Sequence, residues 1–388
     1  MQTQKTHKFL LINVCVILIF LCVGCCVCSV FNYKTNFIFA SSNLSSAKSM
    51  VVIEAQSNKI LYSKNEKIKL PMASTTKIVT ALTVLNNCSN LEELVKIDNK
   101  AVGVPGTSIY LKYGEEMKVI ELLYGMMLPS GNDAATALAI YVGGSVENFT
   151  KLMNDTAKKC GANDSNFSNP HGLDDKNHYT TAYDLAKITA KALENETFKE
   201  IVTTKNIRIK GYGDQKYRYL RNKNKLLTTL AGCIGVKTGF TNNAGRCLVS
   251  ACERDGLKSV CVVLNCGPMF EESFDLLSNV YNEFEKVELL KDNEILGEIG
   301  VCNGTENYVK FYVKHQFCDV IKKSEVNEIK VSYVMPKMIE APIKKDQIIG
   351  EVQIYLKNNL LFSEKIYTMD NVKSIRIKDN FKEVLSRW

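Results

Sequence analysis

The sequence predicts an α+β fold, a sheet-and-helix domain followed by a small all-β unit. Strand patterns stand near both ends of a long first segment with helical periodicities between them, and an Asp255-Gly256 turn joins two apolar runs late in that segment. From Val287 onward the alternation is strand-like alone. A chain of 388 residues also exceeds one domain of about 150, so two folded units are expected.

The N-terminal element comes first. From Phe9 to Phe31 no residue carries a formal charge, and Lys5 and Lys8 precede the run. A secretory apolar region needs about 7–15 residues and a bilayer span about 20, so residues 1–40 fit a cleaved signal peptide or a retained membrane anchor. Cleavage near Ala40 is the competing reading to retention. Leu21-Cys22-Val23-Gly24-Cys25 follows a lipoprotein signal only faintly, and lysines at both ends (Lys5 and Lys8, Lys34 and Lys48) orient the segment weakly.

Ser49 to Ala55 and Lys59 to Lys64 read as a hairpin around Gln56-Ser57-Asn58. After Pro71, the apolar residues Ile78, Ala81, Leu82 and Leu85 recur at helical spacing, which predicts a helix beginning near Ala73 or Ser74. Helical segments with loops fill much of the stretch to about residue 200. Gly245 to Cys252 and Lys258 to Cys266 then flank the Asp255-Gly256 turn, and Phe274, Leu277, Val280, Tyr281 and Phe284 mark a helix. The domain spans 45–286, with an antiparallel sheet joining its first and last segments.

Residues 287–378 form the β domain, on patterns such as Tyr308 to Val313 and Val352 to Leu356. The tail, 379–388, puts Phe381, Val384, Leu385 and Trp388 on one helical face, suited to docking on the β domain or to a membrane interface.

Composition removes several function classes. The content is 46% hydrophobic and 23% charged, ordinary for a globular protein, and the net charge of +8 comes from dispersed lysines without the basic, aromatic stripe that tracks nucleic acid. Of 14 cysteines, Cys15, Cys22, Cys25, Cys26 and Cys28 lie in the N-terminal run. The others contain no Cys-x-x-Cys pair, so neither a metal site nor a cofactor is expected, and their spacing leaves disulfides open.

Three short motifs carry the chemistry, in order: Ser74-Thr75-Thr76-Lys77, Ser130-Gly131-Asn132 and Lys237-Thr238-Gly239. Each alone is weak; together they match the Ser-x-x-Lys, Ser-x-Asn and Lys-Thr-Gly set of penicillin-binding proteins and class A β-lactamases. Residues three apart share a helix face, so Lys77 reaches the Ser74 hydroxyl as its base, provided burial and a second cation such as Lys237 depress its pKa. A serine here otherwise serves only as a helix cap. Ser130 is suited to relaying a proton to the leaving amine, and Asn132 to bonding the substrate peptide group and placing Lys77. Lys237 and Thr238 suit a terminal carboxylate, and Gly239 leaves room for an extended peptide at a strand edge. The backbone N–H groups of Ser74 and Phe240 are the candidate oxyanion hole. Only four histidines are present, His7, His171, His178 and His315, and no Gly-x-Ser-x-Gly elbow accompanies them for a Ser-His-Asp triad.

With those motifs in view, the sequence from about Ser49 to the C-terminus resembles the low-molecular-mass penicillin-binding proteins of the serine-type D-alanyl-D-alanine carboxypeptidase family. Asn169-Pro170-His171-Gly172-Leu173, Tyr179 to Leu185 and Asn243 to Val249 look like further family stretches. The resemblance implies a penicillin-binding/β-lactamase-like domain, with a five-stranded antiparallel sheet, helices and an all-helical lobe, before the β domain. It implies removal of the terminal D-alanine from a peptidoglycan stem peptide through a Ser74 acyl-enzyme, and β-lactams as covalent inhibitors. An extracytoplasmic site, at the membrane or in the wall, follows from that chemistry. Two departures touch substrate contacts: Lys223 and Phe240 stand where some relatives have arginine and histidine. A class A β-lactamase would need a glutamate for its deacylating water, and Asp174 to Leu185 contains none.

Overall fold

The computed structural model describes residues 45–375. The apolar run Phe9 to Phe31 and the tail Phe381 to Trp388 lie outside the described residues. Among those described, no helix is long and apolar enough to cross a membrane.

Strands β1 (Ser49–Glu54) and β2 (Ile60–Lys64) form the first hairpin. A 3-10 turn, Ala73–Thr76, leads into α1 (Lys77–Asn87). The short strands β3 (Leu94–Lys96) and β4 (Glu116–Lys118) pair as a ribbon, followed by helices α2 (Val119–Met127), α3 (Asn132–Gly143), α4 (Val146–Lys159), α5 (Ala182–Ala192) and α6 (Glu196–Thr203). A second ribbon, β5 (Asn206–Lys210) with β6 (Tyr217–Arg221), precedes the single turn α7 (Leu226–Thr229). Strands β7 (Cys233–Thr241), β8 (Gly245–Arg254) and β9 (Leu257–Leu264) and helix α8 (Met269–Glu283) complete the unit.

The sheet is antiparallel, in the order β2-β1-β9-β8-β7. The expected closure holds: β1 pairs with β9 from Ser49–Leu264 to Glu54–Ser259. Val51, Ile53, Val249, Ala251, Val260 and Val262 face the same core as α1, α2, α3 and α5. The expected helix is present, yet Ser74 lies in the 3-10 turn and Lys77 is the first α-helical residue. Residues i and i+3 eclipse in a 3-10 turn, so the side chains still share a face. Helix α1 buries every side chain from Lys77 to Val84, more than one apolar face. Its polar residues tolerate this because the Thr80 hydroxyl donates to Pro170 O at 2.6 Å and the Thr83 hydroxyl to Val79 O at 2.8 Å. The two ribbons β3–β4 and β5–β6 accompany the helices of the lobe; periodicity had not marked them, since β3 and β4 are three residues each and β6 points a buried arginine, Arg218, inward.

After α8 the described residues form strands, interrupted by one 3-10 turn at Lys323–Glu328: β10 (Phe284–Leu290), β11 (Ile295–Cys302), β12 (Tyr308–Tyr312), β13 (Phe317–Lys322), β14 (Ile329–Val334), β15 (Met338–Glu340), β16 (Ile348–Leu356) and β17 (Asn359–Thr368). A six-stranded sheet, β14-β16-β17-β12-β11-β15, encloses a core containing Ile299, Val309, Val352, Ile354 and Ile366. This unit meets the first at the β1–β2 hairpin: Lys59 pairs with Asp319 at 2.8 Å, and Tyr62 and Phe284 pack edge to face at 5.7 Å. It therefore stands against the β2 side of the sheet, while β7 is the opposite edge.

Candidate active site

The 3-10 turn bearing Ser74 lies against β7. A Cβ added to Gly239 would come within 2.9 Å of Met72 O and 3.1 Å of Ser74 N, so this position admits only glycine at such an approach. Ala73 is held at φ +50°, a conformation costing an L-residue about 1–2 kcal/mol. Two contacts hold it. The Thr76 hydroxyl donates to Ala73 O at 2.8 Å, and Gly172 (φ +89°) packs so closely that an added Cβ would stand 1.9 Å from that same oxygen. Replacing Gly172 with alanine is therefore expected to displace the turn that carries Ser74: penicillin acylation followed by intact mass should slow at least tenfold and Tm should fall, because the positive φ alone costs about 1–3 kcal/mol.

Lys77 is fully buried. Its Nζ lies 2.7 Å from Asn132 Oδ1, 2.7 Å from His171 O and 3.0 Å from Ser74 Oγ. Two of these neighbours are carbonyl oxygens, which only accept, and the third is a hydroxyl. A neutral amine satisfies all three, donating to the carbonyls and offering its lone pair to the Ser74 O–H. Electrostatics favour that state: burial, then the charges of Lys237 and Lys223, hold the Lys77 pKa well below the usual lysine range, against a weaker opposing pull from Asp133.

Asn132 is fixed from three sides. Its Nδ2 donates to Pro105 O at 2.6 Å, its backbone N–H donates to Thr107 O at 2.7 Å, and its Oδ1 serves Lys77. One Nδ2 hydrogen remains for a ligand. Ser130 has φ +75° and a buried Oγ with no hydrogen-bond partner among the described residues. An unpartnered buried hydroxyl costs about 1–3 kcal/mol, so this atom is poised to bond something that enters the cleft.

Lys237 is buried on β7, its Nζ donating to Thr238 O at 3.1 Å. Burial, then the Lys223 charge, lowers its pKa to about 7. Lys223 Nζ lies 3.4 Å from Thr107 Oγ1, on the loop that holds Asn132. Thr238 is half-buried, and the Phe240 side chain is 62% exposed, occupying no pocket of its own.

Register settles where the backbone of β7 points. Glu253 N–H bonds Gly232 O at 2.9 Å, and β8 is regular against β9, so the odd-numbered residues of β8 aim their peptide groups at β7. Lys237 opposite Val249 and Gly239 opposite Cys247 are then hydrogen-bonded pairs, whereas Thr238 and Phe240 turn their backbone groups to the open edge. Strand β7 thus offers free backbone groups beside Ser74, with the Phe240 N–H among them.

Several supporting groups had not been read from the sequence. Asp133 accepts from the Ser108 hydroxyl at 2.6 Å, from Ile109 N–H at 3.1 Å, Leu111 N–H at 3.0 Å and Ala134 N–H at 2.9 Å, tying the 105–111 loop to α3. Arg218 makes a buried bidentate pair with Glu115, at 2.6 and 2.9 Å, and donates to Ile109 O at 3.0 Å on the same loop. His178 Nδ1 accepts the Ser168 N–H at 3.0 Å, which leaves its Nε2–H to donate to Thr76 Oγ1 at 2.7 Å. Burial keeps His178 near pKa 4 and His171 near 3, so both are neutral at pH 7. His178 positions the turn; neither ring bonds Ser74. Among the described residues no group of His, Cys, Asp and Glu could hold a metal ion, and the described cysteines are free thiols.

A family model described as D-alanyl-D-alanine carboxypeptidase matches residues 38–267, and one described as the C-terminal domain of penicillin-binding protein 5 matches 284–374. The chain is 30% identical over 350 residues to D-alanyl-D-alanine carboxypeptidase DacF of Bacillus subtilis, covering 88% of this chain and 90% of the relative. It is 32% identical over 342 residues to D-alanyl-D-alanine carboxypeptidase DacC of Escherichia coli, covering 84% of each. Among solved structures, penicillin binding protein 5 from Haemophilus influenzae superposes with TM-score 0.71 at 29% identity, covering 86% of this chain and 100% of that one. A mutant of the Streptomyces K15 DD-transpeptidase gives TM-score 0.57 at 32% identity over 61% of this chain and 97% of that one.

Proposed function

This chain belongs to the D-alanyl-D-alanine carboxypeptidase family, and from that premise we propose that it releases the terminal D-alanine of peptidoglycan stem peptides through a Ser74 acyl-enzyme. The observation that carries the residue assignment is the buried Lys77 amine, shared between two carbonyl acceptors and the Ser74 hydroxyl. That arrangement supports a free-base lysine taking the serine proton as Oγ attacks the carbonyl of the penultimate D-alanine.

The oxyanion formed would lie between the backbone N–H groups of Ser74 and Phe240. Ser130, whose hydroxyl has no partner among the described residues, relays the proton held by Lys77 to the amine of the terminal D-alanine; the C–N bond breaks, D-alanine leaves, and Lys77 is again a free base. Water, deprotonated by Lys77, then hydrolyses the ester, and the proton returns from Lys77 to Ser74 Oγ as the acyl bond breaks. Lys237 and Thr238, with Lys223 beyond them, receive the free carboxylate, and the stem peptide lies extended along the edge of β7. A β-lactam acylates the same oxygen through its strained ring amide. An extracytoplasmic location, at the membrane or in the wall, is supported by the apolar run Phe9 to Phe31 and by a substrate that is built outside the membrane.

The test is D-alanine release from an acylated peptide ending in D-Ala-D-Ala, beside the same peptide with a C-terminal amide. Wild type should prefer the free acid, and Lys237→Ala should narrow the kcat/KM ratio of acid to amide by about 10- to 100-fold, the value of a charge-assisted hydrogen bond of about 1.5–3 kcal/mol. An unchanged ratio would remove the carboxylate role of Lys237. No D-alanine from either peptide with wild type would overturn the proposed reaction.

A further inference from the structure

Among the described strand pairs, one register partnership sets cysteine against cysteine: Cys233 at the start of β7 faces Cys252 on β8. Whether two such sulfurs can join depends on the kind of pair. Glu253 N–H bonds Gly232 O at 2.9 Å, while Cys233 N–H turns back to Leu230 O at 3.2 Å. The Cys252 carbonyl points the other way and accepts from the Tyr281 hydroxyl at 2.6 Å. Cys233 and Cys252 are therefore a non-hydrogen-bonded pair, in which Cα atoms stand about 4.5 Å apart and both side chains project from one face. Disulfides span Cα separations of about 4.4–6.8 Å, a range that includes the spacing usual for such a pair.

The surroundings favour reaction between these two thiols. Each Sγ donates to a nearby carbonyl, Cys233 to Gly235 O at 3.4 Å and Cys252 to Ala231 O at 3.3 Å, and Cys252 also has Tyr281 and Arg254 beside it, the Arg254 charge favouring its thiolate. Cys233 is partly exposed and Cys252 is buried, so a reagent in solution meets Cys233 first. The register shift between Cys233 and Gly235 leaves one extra residue, Ile234, after the pair, which lets the strand's first residue adjust without moving the Lys237 register.

The geometry points to Cys233–Cys252 as a thiol–disulfide site, oxidised by a small disulfide such as oxidised glutathione. The Cys233 thiolate attacks one sulfur of that disulfide, forming a mixed disulfide and releasing one glutathione. The Cys252 thiolate then attacks the Cys233 sulfur, releasing the second glutathione and closing the cross-strand bond. Two protein thiols are oxidised, one disulfide is reduced to two thiols, and the protons pass from the cysteines to glutathione. The product ties the edge strand that carries Lys237, Thr238 and Gly239 to its neighbour at the strand's first residue. Burial holds both thiols above the usual cysteine pKa, which makes the reaction slow at neutral pH and faster as pH rises.

The test uses the full-length protein in mild detergent, incubated under native conditions with oxidised glutathione, alkylated and mapped by peptide mass spectrometry. The Cys233 peptide should be linked to the Cys252 peptide, the link should vanish with dithiothreitol, and Cys252→Ser should instead retain one glutathione on Cys233. Glutathione persisting on Cys233 in wild type without a cross-link, alkylation of both thiols, or a link from either cysteine to a different one would each overturn the proposal. A Cys233→Ser control should leave Cys252 unmodified; a variant that loses the native circular dichroism spectrum is replaced by the corresponding alanine.

Discussion

Full-length Ser74→Ala mixed with penicillin is expected to show no covalent adduct in an intact-mass time course, while wild type gains one stoichiometric adduct. D-alanine release by the variant should fall to background. The expectation is this large because Ser74 Oγ is proposed as the atom that forms the acyl bond; removing it deletes the intermediate itself, where loss of a positioning group only slows its formation. The fold should survive, since among the described residues the Oγ hydrogen bond is to Lys77, and Ala73, Thr76, Gly172 and His178 hold the turn without it. An adduct on Ser74→Ala would place the nucleophile elsewhere. An adduct on wild type that formed and vanished with rapid antibiotic turnover would mark a β-lactamase.

Lys77→Met is expected to slow acylation by about 10²–10⁴-fold, the usual contribution of a positioned base, with the fold retained by circular dichroism. Methionine fills a similar buried volume and cannot accept a proton. The pH dependence separates this role from a structural one. Because the Lys77 pKa is lowered, wild-type acylation should rise with pH as Lys77 loses its proton. It should then decline above pH about 7 as Lys237 loses the charge that receives the carboxylate, the fall shifting upward where bound carboxylate stabilises that charge. Lys77→Met should abolish the rising limb and keep the decline. A variant with the wild-type rising limb would show that another group titrates there.

What was legible in the sequence is what depends on short spacing. Ser74 and Lys77 are one turn apart, Asp255-Gly256 has a turn chemistry of its own, and both appear as expected, the latter pair with φ of +50° and +74°. Groups that act over long separations were not legible. Asp133 reads as an ordinary first-turn acid of α3, yet its carboxylate is consumed by backbone N–H groups from residues 109 and 111. His178 sits 102 residues from its partner Thr76. The β5–β6 ribbon was missed because Arg218 occupies an inward position; only its bidentate partner Glu115, from a distant loop, makes that burial tolerable. The carbonyl of His171 carries no side-chain signal at all, although it is one of three groups around the Lys77 amine.

The open edge of β7 has a bearing on how the molecule behaves among its own copies. A strand with unsatisfied backbone groups is a template on which any extended chain can pair, including the same strand of a neighbouring molecule, and such edges drive association unless something interrupts them. Here the interruptions are the parts of the cleft. The register shift at Ile234 breaks the run, and the 3-10 turn of Ser74 stands over Gly239. What remains open is a short length that suits one narrow, extended peptide with an anionic end and poorly suits a second sheet. The features proposed to admit substrate are thereby the same ones that disfavour edge-to-edge pairing between copies.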